Sequence, residues 1–405
     1  MVRELDSLDL VAGKRLSVVR TDDGLTAQPQ VREPDGSWRR ARPGDGVAEA
    51  LLALLAAAPE LSTVGSFTVR AWSAPVATGE RAVAVDQTNE SVIVGDAAVV
   101  KWAAHLAAGP HPAPRRLEIL RANGFRFMPC PLGMVTWRPK NGAETLVVGV
   151  DSYLPGAVDG WTWAVDLIAA AAGTPDASDG EVAAAASAVG VVIAELHAAL
   201  AVTVSTASSA DAERWRATAS ATLEEARALG DPTVADLLEQ RRDLIDELLS
   251  GIGAMAGTPV IEGHGDLHVG QVLHHRGGYA VIDFDGNPVL PVTERALPIP
   301  AVLDVAGLAQ SLSHAAIVAR RHHRVDEAAL LRVERTAREH FTQSYATHLA
   351  ELGHDELYDP AYLRGFRLQQ VLREIVYAAH HLPRWMYVPE AALPMLLDEG
   401  AAGER

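Results

Sequence analysis

Over residues 9–40 apolar and polar positions alternate in short runs, Leu16-Ser-Val-Val-Arg20 and Thr26-Ala-Gln-Pro-Gln-Val31, broken at Asp22-Asp23-Gly24 and Asp35-Gly36. A period of two interrupted by Asp-Gly turns predicts short strands joined as hairpins. An Ala/Leu run over residues 47–57 predicts a helix, and strand patterning returns over 66–72. From Arg81 the chain reads as a meander: Ala82-Val-Ala-Val-Asp86, the polar turn Gln87-Thr-Asn-Glu90, Ser91-Val-Ile-Val94, a Gly95-Asp96 turn, then Ala98-Val-Val-Lys101-Trp102. Three strands with tight turns predict an antiparallel sheet. A helix over 113–123 closes at Gly124, which suits the left-handed conformation that ends helices. Two further strands, 134–138 and 145–153, flank Pro139-Lys-Asn-Gly142 and complete a β-β-β-α-β-β lobe.

Beyond Pro155-Gly156 the apolar spacing changes to three and four. It predicts helices over 161–172, 181–202, 210–229, 232–250, 302–321, 326–352 and 360–381. One stretch, 259–290, interrupts them with strand and loop character, and no internal repeat is visible. The expected organisation is a β-rich cap subdomain (residues 1–80), a second lobe (81–155) and a mostly helical lobe (156–405). That makes an α+β protein. At about 150 residues per domain, 405 residues with 48% hydrophobic content suit two or three folding units. Thirty-five Lys and Arg against 52 Asp and Glu leave a net charge of −17, which repels polyanions, so neither nucleic acid nor a membrane surface is an expected partner. The single cysteine, Cys130, lies between two prolines and excludes an internal disulfide or a cysteine metal cluster. With no basic, apolar leader at Met1, these features lead us to expect a reducing cytoplasm. The most apolar run, 182–201, is interrupted by Glu195 and His197 and reads as a buried helix.

Chemistry concentrates in the interruption: His264-Gly-Asp266-Leu-His268-Val-Gly-Gln271, then Tyr279-Ala-Val-Ile-Asp283-Phe-Asp285-Gly286. Two strands with a short loop would bring Asp266, Gln271 and Asp283 near one another. Phosphoryl transfer needs this inventory: a carboxylate to accept a hydroxyl proton and oxygen ligands to hold Mg²⁺ against nucleotide phosphates. The two segments resemble the catalytic loop and metal segment of the aminoglycoside phosphotransferase superfamily, itself similar to protein kinases. Gln271 stands where kinases carry Asn, and Asp283-Phe-Asp285 where they carry Asp-Phe-Gly. Maltokinases resemble the chain at these residues and at Gln87-Thr-Asn-Glu-Ser91, Val99-Val-Lys101, Tyr153-Leu-Pro-Gly156, Asp159-Gly-Trp161 and Asp304-Val-Ala-Gly307. The C-terminal Leu382-Pro-Arg-Trp385-Met-Tyr387-Val-Pro389 looks more like their sister group, the glucosamine kinases.

The resemblance implies a bilobal, protein-kinase-like fold and an ATP- and Mg²⁺-dependent sugar kinase. In that reading Asp266 is the catalytic base, and Gln271 and Asp283 are the Mg²⁺ ligands. Lys101 contacts the phosphates, Gln87, Thr88, Asn89 and Ser91 replace a Gly-rich loop, and Val150, Asp151 and Tyr153 lie at the adenine hinge. The helix residue that pairs with Lys101 stays open between Glu118, the only acid there, and the position of Arg115. Asp266, His268, Asp285, Glu374, Tyr377 and Trp385 are the expected acceptor residues; His264 and Asp304 are structural. Glu374 and Tyr377 share a helix face, and a carboxylate beside an aromatic plane suits a sugar. An amino sugar suits an acidic chain best, so glucosamine, giving glucosamine 6-phosphate, precedes maltose and aminoglycosides as the expected acceptor. A monomer or weak homodimer is expected. Two rivals are a metallophosphoesterase, from Gly265-Asp-Leu-His268, and a non-catalytic kinase-like scaffold. The first lacks a Gly-Asn-His-Glu segment, and the second would need loss of Asp266, Asp283 or Lys101.

Overall fold

The computed structural model describes residues 3–83, 90–106, 109–173 and 179–399, and the chain divides into two compact units. The first comprises Met1–Ala157 with Asp283–Leu297. Its opening is a four-stranded meander, Arg3–Val11, Lys14–Thr21, Gly24–Arg32 and Trp38–Arg40, in sequence order. A seven-stranded sheet follows, in the order Leu61–Val64, Phe67–Ala71, Pro131–Trp137, Thr145–Ser152, Ala98–Trp102, Glu90–Val94, Glu80–Ala82, with every pairing antiparallel. The leucine-rich helix Val47–Ala57 buries Leu51, Leu52 and Leu55 in a core that also takes Leu8, Leu16 and Val18 from the meander and Phe67, Val69, Val100 and Val148 from the larger sheet.

The boundary expected at residue 80 is therefore displaced. Phe67, Val69 and Ala71 point one face of their strand into the shared core, so the strand pairs with Pro131–Trp137 rather than closing a separate cap. Asp283–Leu297, expected with the helical part, also belongs to the first unit.

The second unit, Val158–Ile282 with Pro298–Arg405, carries the helices Gly160–Gly173, Gly180–Leu200, Ser209–Leu229, Pro232–Gln240, Arg242–Gly253, Ala301–His322, Glu327–Glu351, Leu363–His381 and Tyr387–Leu397. Several starts follow from local chemistry. Ser208 and Asp211 form a capping box, and Asp231 and Asp326 each accept a main-chain N–H at a helix start. The single helix expected over 232–250 is broken at Arg241, whose backbone (φ −105, ψ 17) leaves the helical region. Tyr387–Leu397, which is not among the helices the spacing predicts, is a helix despite Pro394 inside it. Gly180–Thr203 and Ala301–His322 both reach the length and apolarity of a membrane span, the former in spite of Glu195 and His197. Yet Ala301–His322 is buried on nearly every side within its unit.

One glycine governs how closely this helix approaches the chemistry-bearing loop. A Cβ on Gly307 would lie 2.4 Å from the Leu267 carbonyl oxygen. Gly→Ala inside a helix ordinarily gains about 1 kcal/mol, whereas forcing an atom against packed backbone costs about 1–3 kcal/mol. Gly307→Ala should therefore lose stability in urea unfolding, by up to about 2 kcal/mol; a stabilised variant would show that the loop gives way freely.

Candidate active site

The helix Ala301–His322 holds the loop through residues on one face. Asp304, fully buried, accepts the His264 N–H (2.7 Å) and the Gly265 N–H (2.8 Å), and the Ser311 hydroxyl accepts the Val269 N–H (2.8 Å). Asp304 is not the helix cap, a position taken by Pro300, so its carboxylate is spent on the loop. His197 stands 3.3 Å from it and is itself 2.8 Å from the Tyr345 hydroxyl. Burial pushes the Asp304 carboxyl up, but the His197 and His264 rings and the Gly265 N–H outweigh it and hold it below the ordinary carboxylate range. His264 completes the frame. One ring nitrogen accepts the Asp266 N–H (3.3 Å), and the other is 3.0 Å from the Ile282 carbonyl, the last residue before Asp283.

Asp266 has its carboxylate 3.8 Å from the Arg373 guanidinium. Its neighbours form an aromatic and acidic wall within the same unit. His268 stacks on Trp161 with ring centres 6.0 Å apart, and Trp161 meets Trp385 edge-on at 5.5 Å. The Trp385 indole N–H donates to Glu374 (3.2 Å), and Gln370 donates to the other carboxylate oxygen (3.1 Å). Buried His314 lies 3.2 Å from that same oxygen. Burial pushes Glu374 up, but the His314 ring and the Gln370 and Trp385 donors prevail and hold it at about 2. Tyr377 stands apart from this wall. It is 45% exposed, and its ring lies against His381 one turn further along. Trp161, quoted in the sequence only as part of a resemblance, emerges as the ring that joins His268 to Trp385.

The remaining expected residues lie in the first unit. Lys101 sits opposite Gly149 on the strand Thr145–Ser152, which offers no side chain at that position, and its ammonium reaches diagonally to Asp151 at 3.1 Å. Burial pulls the Lys101 ammonium down, but the carboxylates of Asp151, Asp283 and Asp285 outweigh it and keep it above the ordinary lysine value. Asp151, expected at the adenine hinge, thus takes the lysine. The choice between Glu118 and Arg115 as its partner falls away, since Glu118 pairs with Arg70 (2.5 Å). Val150 is buried in the ladder, and the N–H groups of Ser152 and Tyr153 are bonded to the Cys130 and Ala97 carbonyls. Donors for adenine would therefore have to come from beyond Tyr153. Ser91 is buried directly opposite Lys101 in the register; Gln87, Thr88 and Asn89 lie outside the described residues.

Asp283 is exposed and has φ 67, one of two non-glycine residues with positive φ among those described. Such backbone is costly and persists where the surroundings demand it. Gln271 belongs to the second unit; its carbonyl accepts the Ile282 N–H (2.9 Å). Among the described residues no group of three His, Cys, Asp or Glu side chains is placed as a metal cage. Mg²⁺ needs none, because one or two protein oxygens with phosphates and water complete its octahedron. A carboxylate (Asp283) and an amide oxygen (Gln271) are hard donors of the right kind.

A model of the phosphotransferase enzyme family matches residues 79–340, and the chain belongs to this family. It is 57% identical over 399 residues to the glucosamine kinase of Mycolicibacterium smegmatis, spanning 98% of this chain and 99% of that one. It is 43% identical over 404 residues to the glucosamine kinase of Streptacidiphilus jiangxiensis, with 97% and 90% covered. A solved glucosamine kinase in complex with glucosamine, ADP and inorganic phosphate superposes with a TM-score of 0.87 at 40% identity, covering 98% of this chain and 94% of that chain. The protein-kinase-like fold expected from the loop motifs is thus the fold found.

Glu374 carries a pH signature. Its carboxyl titrates at about 2 in the folded chain against 4.5 unperturbed. Its ionised form therefore stabilises the fold by about 3 kcal/mol above pH 4.5, and that contribution is lost as pH falls from about 4.5 to about 2. Glu374→Gln should melt well below the wild type at pH 6, and the gap should close as pH drops towards 3. A gap independent of pH would remove the ionised buried carboxylate.

Proposed function

We propose that this chain transfers the γ-phosphoryl group of ATP to a hydroxyl of glucosamine, giving glucosamine 6-phosphate. The observation that carries the reading is the Glu374 carboxylate, kept ionised beside Trp385 and Trp161, on the helix that also sets Arg373 against Asp266. Gln370 and Trp385 donate to its two oxygens and His314 stands 3.2 Å from one of them, so an ammonium would meet the lone-pair positions these three leave. The indoles offer an apolar surface for the sugar ring. The glucosamine kinases that share the chain over nearly its whole length support the same acceptor.

In this reading Asp266 takes the proton of the attacking hydroxyl as the phosphoryl group moves, and Arg373 sets the direction of its carboxylate. Lys101, charged and oriented by Asp151, meets the phosphates. Asp283 and Gln271 would hold Mg²⁺, which when bound neutralises the charge on the phosphate oxygens. Dependence on ATP accords with a cytoplasmic enzyme.

Release of ADP should be fastest with glucosamine among glucosamine, glucose, maltose and an aminoglycoside; equal turnover with glucose would remove the ammonium argument. Asp266→Asn should lower kcat by several orders of magnitude while ATP binding by calorimetry stays within a few-fold. Trp161→Ala should raise the KM for glucosamine about two- to tenfold, the scale of one lost stacking contact, with the KM for ATP unchanged.

A further inference from the structure

Protein kinases hold the phosphate-binding lysine with a glutamate on the helix that follows its strand. Here the corresponding helix, Pro112–Ala122, does not serve the lysine, because Asp151 on the neighbouring strand does. The helix instead sends inward a nearly fully buried arginine. Arg116 is 1% exposed and donates through one terminal nitrogen to the Phe284 carbonyl (2.9 Å) and through the other to the Arg295 carbonyl (2.9 Å). These acceptors lie at the two ends of the segment that begins with Asp283-Phe-Asp285.

The segment is also tied across its middle. The Arg295 side chain donates to the Leu290 carbonyl (2.8 Å) and to that of Pro288, and Asn287 accepts the Val289 N–H (3.1 Å). Gly286, at φ 71, completes the fit. A Cβ there would lie 3.1 Å from the Arg116 guanidinium and 3.2 Å from the Arg295 Cβ. Burying a guanidinium is expensive unless its donors are used, and an apolar side chain would fill the same space at lower cost. A planar fork that reaches two carbonyls eleven residues apart does what an apolar residue cannot: it fixes their separation.

We infer that Arg116 is a positioning residue of the nucleotide site: it binds the helix Pro112–Ala122 to the segment bearing Asp283 and Asp285, and so sets the metal-facing carboxylates before any nucleotide arrives. The device that joins lysine and helix in kinases is split in this chain into two, Asp151 for the lysine and Arg116 for the metal segment. The inference rests on the reading that this segment receives Mg²⁺ and ATP.

The test uses the full-length protein and two measurements: hydrogen exchange of residues 284–295 without metal or nucleotide, and calorimetry of ATP with and without Mg²⁺. In the wild type the segment should be protected before any ligand is added. Arg116→Met should exchange faster in that segment and lose at least tenfold of the affinity that Mg²⁺ adds to ATP binding, with the KM for glucosamine unchanged. Arg116→Lys, which reaches only one carbonyl, should fall between the two. Asp151→Asn should weaken ATP equally with and without Mg²⁺. Unprotected exchange of 284–295 in the wild type, or a folded Arg116→Met that keeps its protection and its Mg²⁺ gain, would overturn the inference. If Arg116→Met does not fold, Arg116→Lys and the wild-type exchange decide it. A wild type that binds no Mg²⁺-ATP would instead overturn the proposed function, and exchange in the ligand-free protein would still judge the clamp.

Discussion

The loop that carries Asp266 depends on one buried carboxylate. Asp304 takes the main-chain N–H groups of His264 and Gly265, and without it these donors would face a helix that offers them nothing. A buried charge of this kind is tolerable only when hydrogen-bonded on several sides. His197, backed by Tyr345, supplies the remaining contact. The same helix admits the Leu267 carbonyl at Gly307 and holds the Val269 N–H at Ser311. Asp266 is therefore mounted on a loop whose backbone is spoken for on both sides of it, which suits the role of base proposed for it.

Charge is distributed by role in this acidic chain. In the first unit three carboxylates surround Lys101 and keep it protonated where phosphates are expected. In the second, Glu374 is kept ionised by its donors where an ammonium is expected. Arg373 and Glu374 are neighbours in the chain, so a single helix turn presents a cation to Asp266 and, in the proposed reading, an anion to the amino sugar. The net charge of −17 is compatible with a cationic acceptor, and in the proposed reading the local arrangement supplies the selectivity.

Much of this was legible in the residues because it depends on local order. The Asp-Gly hairpins, the switch from a period of two to one of three and four, and the loop His264 to Gln271 each involve residues close in sequence. The Asp151 pairing was not legible. It arises from a strand register that places Gly149 opposite Lys101 and leaves Asp151 diagonal to it. Nor was the extent of the larger sheet, since Phe67–Ala71 reads as one more short strand until its partner, Pro131–Trp137, is known. Tyr377 misled for a related reason. Three-residue spacing sets it on the same side of a helix as Glu374, yet the wall formed by Trp161 and Trp385 meets only the carboxylate.

Residue order alone thus carried the class of fold and the family, because those follow from short motifs whose chemistry is contained in a few consecutive side chains. Folding supplied the partners: which carboxylate holds Lys101, which ring joins His268 to Trp385, and why a buried arginine lies in the helix Pro112–Ala122. Each of those pairings joins residues tens to hundreds of positions apart. Their distance in space is set by strand register and helix packing, which a linear pattern does not encode.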